Sequence, residues 1–326
     1  MSEYLLEVLL PFHIFDDYLL EAIESCEKAL PPNSRIIAIN TLNDQKMLNG
    51  HSGLILEVTC PKANYVTALK FGLSKTQSKY VALMNSDDLI DEHRFIKQIE
   101  ALEQSNFNLC VTNLSKFSIT KIHKSIEVPS LLGEVPNNFH EALLLLGSFR
   151  ADASWCFNQK WAREVDLFGQ KSDVSDWCTA MRTVKSTNTV VLNEKYYFYR
   201  MHARQITRDQ KVSNSPYFYA NWTELNDRLN FRALNHSEID IVTSHNRTSK
   251  IENLENVWCW LSEIEVYLES IFIDSDKEKI SNILFRRKLL IGIRNRSLQL
   301  KIKELRLLPN LFFQYFRFKK YLRGVL

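Results

Sequence analysis

Over its first 115 or so residues the chain alternates short, almost wholly apolar runs with segments whose apolar residues recur at helical spacing, and few folds accept that pattern. Leu5 to Leu10 is nearly uninterrupted hydrophobic sequence closed by Pro11, as expected of a strand buried on both faces. Then Leu19, Ala22, Ile23, Cys26 and Leu30 repeat every three or four positions, Asp16 stands where a cap belongs, and Pro31-Pro32 ends the helix. The same reading predicts strands at 35–40, 54–58, 80–85 and 109–112, and helices at 66–75 and 92–104. Such alternation implies crossovers between parallel strands. The expected fold class is therefore α/β, a mostly parallel sheet flanked by helices. Ligands of open sheets collect at the carboxyl ends of the strands, so chemistry is sought just after each strand.

From Pro216 onward the pattern is mainly helical, with helices predicted at 217–234, 254–273 and 277–307. We divide the chain into an α/β unit at 1–215 and a helical carboxyl-terminal region at 216–326, and the polar stretch 235–251 reads as a boundary within the latter. At 326 residues and 45% hydrophobic side chains, a disordered or fibrous protein is excluded. Six cysteines without a C-x-x-C pair sit mostly in apolar surroundings, which suits a reducing compartment better than a disulfide framework or a zinc site. The first residues lack a basic, then apolar, leader, and no run reaches the roughly 18 apolar residues of a membrane span, so the expected location is the cytoplasm.

The strongest chemical feature follows the predicted strand at 80–85, where Asn85-Ser86-Asp87-Asp88 places an amide and two carboxylates. A hard cation such as Mg²⁺ or Mn²⁺ takes oxygen ligands and accepts a site of one or two carboxylates completed by substrate phosphates. The alternative is that Asp87 and Asp88 cap the next helix. Two further clusters stand out. Phe168 to Trp177 ends in Ser175-Asp176-Trp177, and Tyr196 to Thr207 contains Arg200, His202 and Arg204. The last three alternate along a strand and so project to one side, suited to a diphosphate.

Together these pieces resemble family 2 glycosyltransferases, enzymes of the GT-A fold. The resemblance rests on Glu7 to His13, on Leu20 to Cys26, on Ala68 to Leu73 and on Asn85-Ser86-Asp87-Asp88, in order and at the right spacing, and covers about residues 5–205. It implies a metal-dependent, inverting transfer of a sugar from a nucleotide-sugar donor to a hydroxyl of a glycan or lipid-linked acceptor, in surface polysaccharide biosynthesis. By this resemblance Asp87 holds the divalent metal, Mg²⁺ or Mn²⁺, and Asp176 is the catalytic base. Pro11, Phe12, Asn40, Asp44, Lys70, Asn85, Ser86, Arg200 and His202 are expected at the donor, and Trp155 and Trp177 at the acceptor sugar. Two departures mark this chain: Asn85 replaces the usual first Asp of the D-x-D signature, and 40–44 replaces the acidic turn that reads the base. Other readings are a sugar nucleotidyltransferase, which would want a Gly-rich loop that Pro11 to Phe15 does not offer, and a non-catalytic subunit of a polysaccharide assembly.

The basic character belongs to the tail alone. From Arg286 onward there are twelve Lys or Arg against one acid, Glu304, interleaved near the end with Leu311, Phe312, Phe313, Tyr315, Phe316 and Phe318. No nucleic-acid-binding motif accompanies the charge, so nucleic acid is not an expected partner. The mixture fits an interfacial helix on an anionic membrane surface, which would make the protein peripheral at the inner face of the cell membrane. The alternative is packing of the same aromatics on preceding helices or on a second subunit, as an oligomer.

Overall fold

The computed structural model describes residues 3–42, 45, 47–48, 52–105, 107–118, 121–122, 152–169, 179–180, 189–202, 216–243 and 255–271. Strand β1 (Tyr4–Phe12), helix α1 (Asp17–Ala29), β2 (Ser34–Asn40), β3 (Ile55–Thr59), α2 (Tyr65–Lys75) and β4 (Ser78–Leu83) follow the alternation read from the sequence. The Asp16 carboxylate accepts from Leu19 N at 3.2 Å and so caps α1 as expected. Then come β5 (Leu89–Ile90), α3 (Arg94–Ser105), β6 (Leu109–Ser118), β7 (Lys121–Ile122), a 3-10 turn (Asp152–Ser154), β8 (Trp155–Asn158), α4 (Gln159–Glu164) and β9 (Thr189–Arg200). Helices α5 (Pro216–Arg228), α6 (His236–Thr243) and α7 (Glu255–Ile271) complete the described residues.

The strands form one sheet in the order β3-β2-β1-β4-β8-β6-β9-β5, with β7 on β6. Strands β3, β2, β1 and β4 run parallel, which places their carboxyl ends, at Thr59, Asn40, Phe12 and Leu83, along one edge. Beyond β4 the sheet becomes mixed. Strand β8 is antiparallel to both β4 and β6, β9 is parallel to β6, and β5 is antiparallel to β9. The short strands β5, β7 and β8 carry too few residues for a period to register in the sequence.

Alternation along β1 explains the apolar run. Leu6, Val8, Leu10 and Phe12 enter the core shared with α1 and α3, whereas Leu9 enters the core shared with α2, α4 and α5 to α7. Gly72 on α2 lets the helix lie close to the sheet: a Cβ there would meet Ile39 Cδ1 at 2.4 Å and that side chain would have to shift. The one charge inside β1, Glu7, is buried, pairs with Arg35 at 2.7 Å and accepts from Ser78 N at 2.9 Å. A buried carboxylate is tolerable only with such partners.

Of the stretch 235–251, which the sequence suggested as a polar boundary, the described part to Thr243 is not a solvated linker. Residues His236–Thr243 form α6, with Ile239, Ile241 and Val242 buried in the same core as Trp222 and Trp260. Its acids are consumed internally: Glu238 accepts from Asn235 N and from Asn256 Nδ2, and Asp240 accepts from Tyr219 Oη at 2.8 Å. Composition alone does not distinguish polar residues paired in a helix from polar residues in solvent. Cys26, Cys60, Cys110, Cys156 and Cys259 are free thiols, and burial pushes the Cys156 thiol up to about 12. Among the described residues no helix is long and apolar enough to cross a membrane.

Candidate active site

The loop after β4 lies at the carboxyl edge of the parallel strands, and β9 closes over it from the far side of the sheet. Asp88 is fully buried and fixes the loop. Its Oδ2 accepts from Tyr197 Oη at 2.6 Å and from Asn85 Nδ2 at 3.0 Å, and its Oδ1 accepts from Arg200 N at 2.7 Å. Burial, reinforced by the neighbouring Asp87 charge, raises the Asp88 carboxyl to about 7, against these three hydrogen bonds that favour its ionised form. Asp88 is thus a structural tie between β4 and β9.

With Asp88 turned inward, Asp87 projects to the edge with its side chain one-third exposed, and its Oδ2 lies 2.8 Å from His202 Nε2. Arg200 holds the same residue from behind. Its Nε donates to Asp87 O at 2.7 Å, its terminal nitrogen pairs with Glu21 of α1, and its guanidinium lies between the rings of Tyr18 and Phe117 at 4.4 and 4.9 Å. The Arg200 side chain is only 5% exposed. The geometry therefore makes Arg200 a brace for Asp87 rather than a group presented to a diphosphate. Glu21 and Tyr197 were not singled out in the sequence, since each acts through a partner distant in the chain.

Asp87 offers a carboxylate oxygen and His202 an imidazole nitrogen, 2.8 Å apart and hydrogen-bonded to one another, a donor set of the kind that takes a divalent cation. Among the described residues no third His, Cys, Asp or Glu joins them, so phosphate and water oxygens would complete such a shell.

The other expected site residues divide. Pro11 and Phe12 are buried at the end of β1, and Phe12 O accepts from Thr41 N and Oγ1, so they shape the edge through the backbone. Asn40 was expected to meet the donor, but it is fully buried. Its Nδ2 donates to Glu57 Oε1 and Gln45 O, and its Oδ1 accepts from Leu42 N. Glu57 in turn accepts from Met47 N and Leu48 N, so the Asn40–Glu57 pair folds the β2–β3 loop instead of reading a base. Lys70 points elsewhere, in a half-exposed ion pair with Asp166 at 3.1 Å. Trp155 corrects another expectation: at 2% exposure within the core it offers no face to a sugar. Ser86 is half-buried in the loop beside Asp87. Asp44, Asp176, Trp177 and Arg204 lie outside the described residues.

Behind the loop sits a buried cation. Arg94 at the start of α3 donates to Leu83 O at 3.1 Å and to Ala153 O at 2.7 Å, with Gln98 Oε1 accepting from its Nε at 3.1 Å. It joins the end of β4 to the 3-10 turn before β8. Its guanidinium also lies 5.0 Å from the Tyr197 ring, beneath Asp88.

Residues 7–153 match the family model described as Glycosyl transferase family 2. This chain carries a glycosyl transferase family 2 domain. The whole GT-A fold extends past the matched segment, since β8, β9 and the three carboxyl-terminal helices lie beyond it. Among solved structures, the chain is similar to residues 1–349 of S. aureus TarS crystallised with UDP-GlcNAc, at a TM-score of 0.57 and 13% identity over 92% of each chain. The same TarS segment with UDP gives 0.53 and 12%, over 92% of this chain and 91% of that one. Against a longer TarS structure the values are 0.53 and 12%, and the alignment covers 90% of this chain and 55% of that one. At these identities the likeness speaks for the fold. A search of curated proteins finds no match to this chain.

Proposed function

We propose that the protein is a metal-dependent, inverting glycosyltransferase that moves a sugar from a nucleotide-sugar donor to a hydroxyl of a glycan or lipid-linked acceptor in surface polysaccharide biosynthesis. The observation that carries this reading is the Asp87–His202 pair, held by Asp88, Arg200 and Tyr197 at the carboxyl edge of the sheet. The family match and the UDP and UDP-GlcNAc bound by TarS support a nucleotide-sugar donor.

When bound, a divalent cation would supply positive charge that neutralises the departing diphosphate. Asp87 and His202 would hold it, and the brace from Arg200 keeps Asp87 from turning away. In this reading Asp176 accepts the proton of the attacking hydroxyl on the face opposite the leaving group. No second carboxylic acid is needed, because a diphosphate leaves without protonation. Residues 1–215 form the catalytic unit and 216–326 its helical extension, whose basic aromatic tail would meet an anionic membrane surface.

The test is a transfer assay with the intact protein, Mn²⁺ and a panel of nucleoside-diphosphate sugars, with the anomeric configuration of the product read by NMR. A product of inverted configuration supports the reading. Failure of every nucleoside diphosphate to bind, with or without Mn²⁺, would overturn it.

A further inference from the structure

Strand β9 does not run evenly beside β6. Cys110 and Thr112 pair in parallel with Val190 and Leu192, but Leu114 then pairs with Tyr197, so β9 takes five steps where β6 takes two. Residues 193–196 therefore bulge from the ladder, and bulges between parallel strands are rare. The excess of three residues is odd, which exchanges the two faces of the strand. Before it, Val190 and Leu192 pack on the core shared with α1 and α3, and Val191 on the opposite one. After it, Tyr197 and Tyr199 take the first of these cores. Even-numbered residues would otherwise hold the face from which Tyr197 reaches Asp88.

A buried hydroxyl holds this bulge. Thr112 is 2% exposed, and its Oγ1 donates to Glu194 O at 2.7 Å, a closer acceptor than Asn113 O at 3.3 Å, and accepts from Tyr196 N at 3.4 Å. Backbone groups displaced from a ladder need partners of both kinds, and a hydroxyl both donates and accepts. The far end of the bulge is tied by Asp91 N, which donates to Tyr196 O at 3.0 Å. We infer that Thr112 is a positioning residue for the Asp87–His202 site, a conclusion that rests on the function proposed above. It acts through β9: fixing the bulge sets the register in which Tyr197 Oη and Arg200 N meet Asp88 and His202 Nε2 meets Asp87. A side chain of the same shape without the hydroxyl releases both ends of that hold, and His202 loses its fixed distance to Asp87.

The experiment pairs Thr112→Val, which keeps the shape and removes the hydroxyl, with Thr112→Ser, which keeps the hydroxyl and removes a methyl group. Calorimetry on the full chain measures the tightest-binding of UDP, GDP, ADP and CDP with and without Mn²⁺. Thr112→Val should reduce the Mn²⁺-dependent gain in affinity by about tenfold or more, the scale for groups that orient a metal ligand, with the metal-free affinity unchanged. Thr112→Ser should retain the wild-type gain. In the metal-free protein, hydrogen exchange of peptides spanning 194–202 should quicken in Thr112→Val but not in Thr112→Ser, while peptides of β1 keep the wild-type rate. Should Thr112→Val fail to fold, Thr112→Ala takes its place beside the same serine variant. An undiminished Mn²⁺ effect or unchanged exchange in the folded variant without the hydroxyl, an equal loss in Thr112→Ser, or an equal loss with and without Mn²⁺ overturns the inference and leaves the proposed function standing. If the wild type binds no nucleoside diphosphate, or binds one without gain from Mn²⁺, the inference falls together with the metal-dependent reading on which it rests.

Discussion

His202 Nε2 lies 2.8 Å from Asp87 Oδ2, although 115 residues separate the two in the chain. The contact exists because Arg200, two residues before His202, gives its backbone N–H to Asp88 and its Nε to the Asp87 carbonyl. One strand end thus sets both halves of the pair.

Asp87→Ala and His202→Ala should each abolish most of the Mn²⁺-dependent gain in nucleoside diphosphate affinity, and the double variant should lose little more. Asp87 is partly exposed, so stability should change by less than about 1 kcal/mol. The imidazole also disfavours Mg²⁺, which prefers oxygen, so Mn²⁺ should support tighter binding than Mg²⁺ in the wild type. Calorimetry with each metal checks this, and an unchanged Mn²⁺ effect in either variant counts against the assignment.

Asp176→Asn should keep donor binding and lower turnover by roughly 10²-fold or more, the usual scale for a general base. The amide preserves shape and hydrogen bonding but takes up no proton. Single-turnover transfer rates alongside donor affinity decide it, and near-normal turnover rejects Asp176 as the base.

Arg94→Met should be severe. It leaves Leu83 O and Ala153 O unsatisfied in the core and removes the join between β4 and the turn before β8. A cost of about 3 kcal/mol or more is expected. Arg94→Lys should recover little, because an ammonium cannot reproduce the planar fork. Denaturant unfolding gives the values, and a loss below about 1 kcal/mol for Arg94→Met would contradict the role.

Truncation before Pro309 should remove binding to anionic vesicles while leaving the catalytic unit folded, since each cation near such a surface contributes about 1 kcal/mol. Liposome sedimentation with and without added salt is the measurement. If the intact protein shows no salt-sensitive preference for anionic over neutral vesicles, the tail has another task.

The legible part of this molecule was the part written locally. Leu5 to Leu10 reads as a two-sided strand because its burial depends only on its own side chains, and Asp16 reads as a cap because its partner is three residues away. Asp87 and His202 were also singled out from their local motifs, and the structure brings their side chains together. What the sequence did not disclose was which polar groups face inward. Asn40 and Arg200 have the chemistry of ligands, and only the positions of Glu57 and Glu21 reveal that they are held within the protein. Trp155 is likewise ambiguous until β8 is placed between β4 and β6.

The slot that β9 occupies also governs how such a chain is made. During synthesis β1 to β4, β6 and β8 are all available before residue 189, yet β6 then lacks its neighbour on the β9 side. Unpaired edges of this kind invite pairing with other chains. Asp88 meanwhile lacks the Tyr197 hydroxyl and the Arg200 amide that it requires. The residues before 189 therefore lack both the β9-side neighbour of β6 and the partners of Asp88, and one late strand supplies both. Ordering of the loop around Asp88 thus depends on the same long-range pairing of β6 with β9 that completes the sheet.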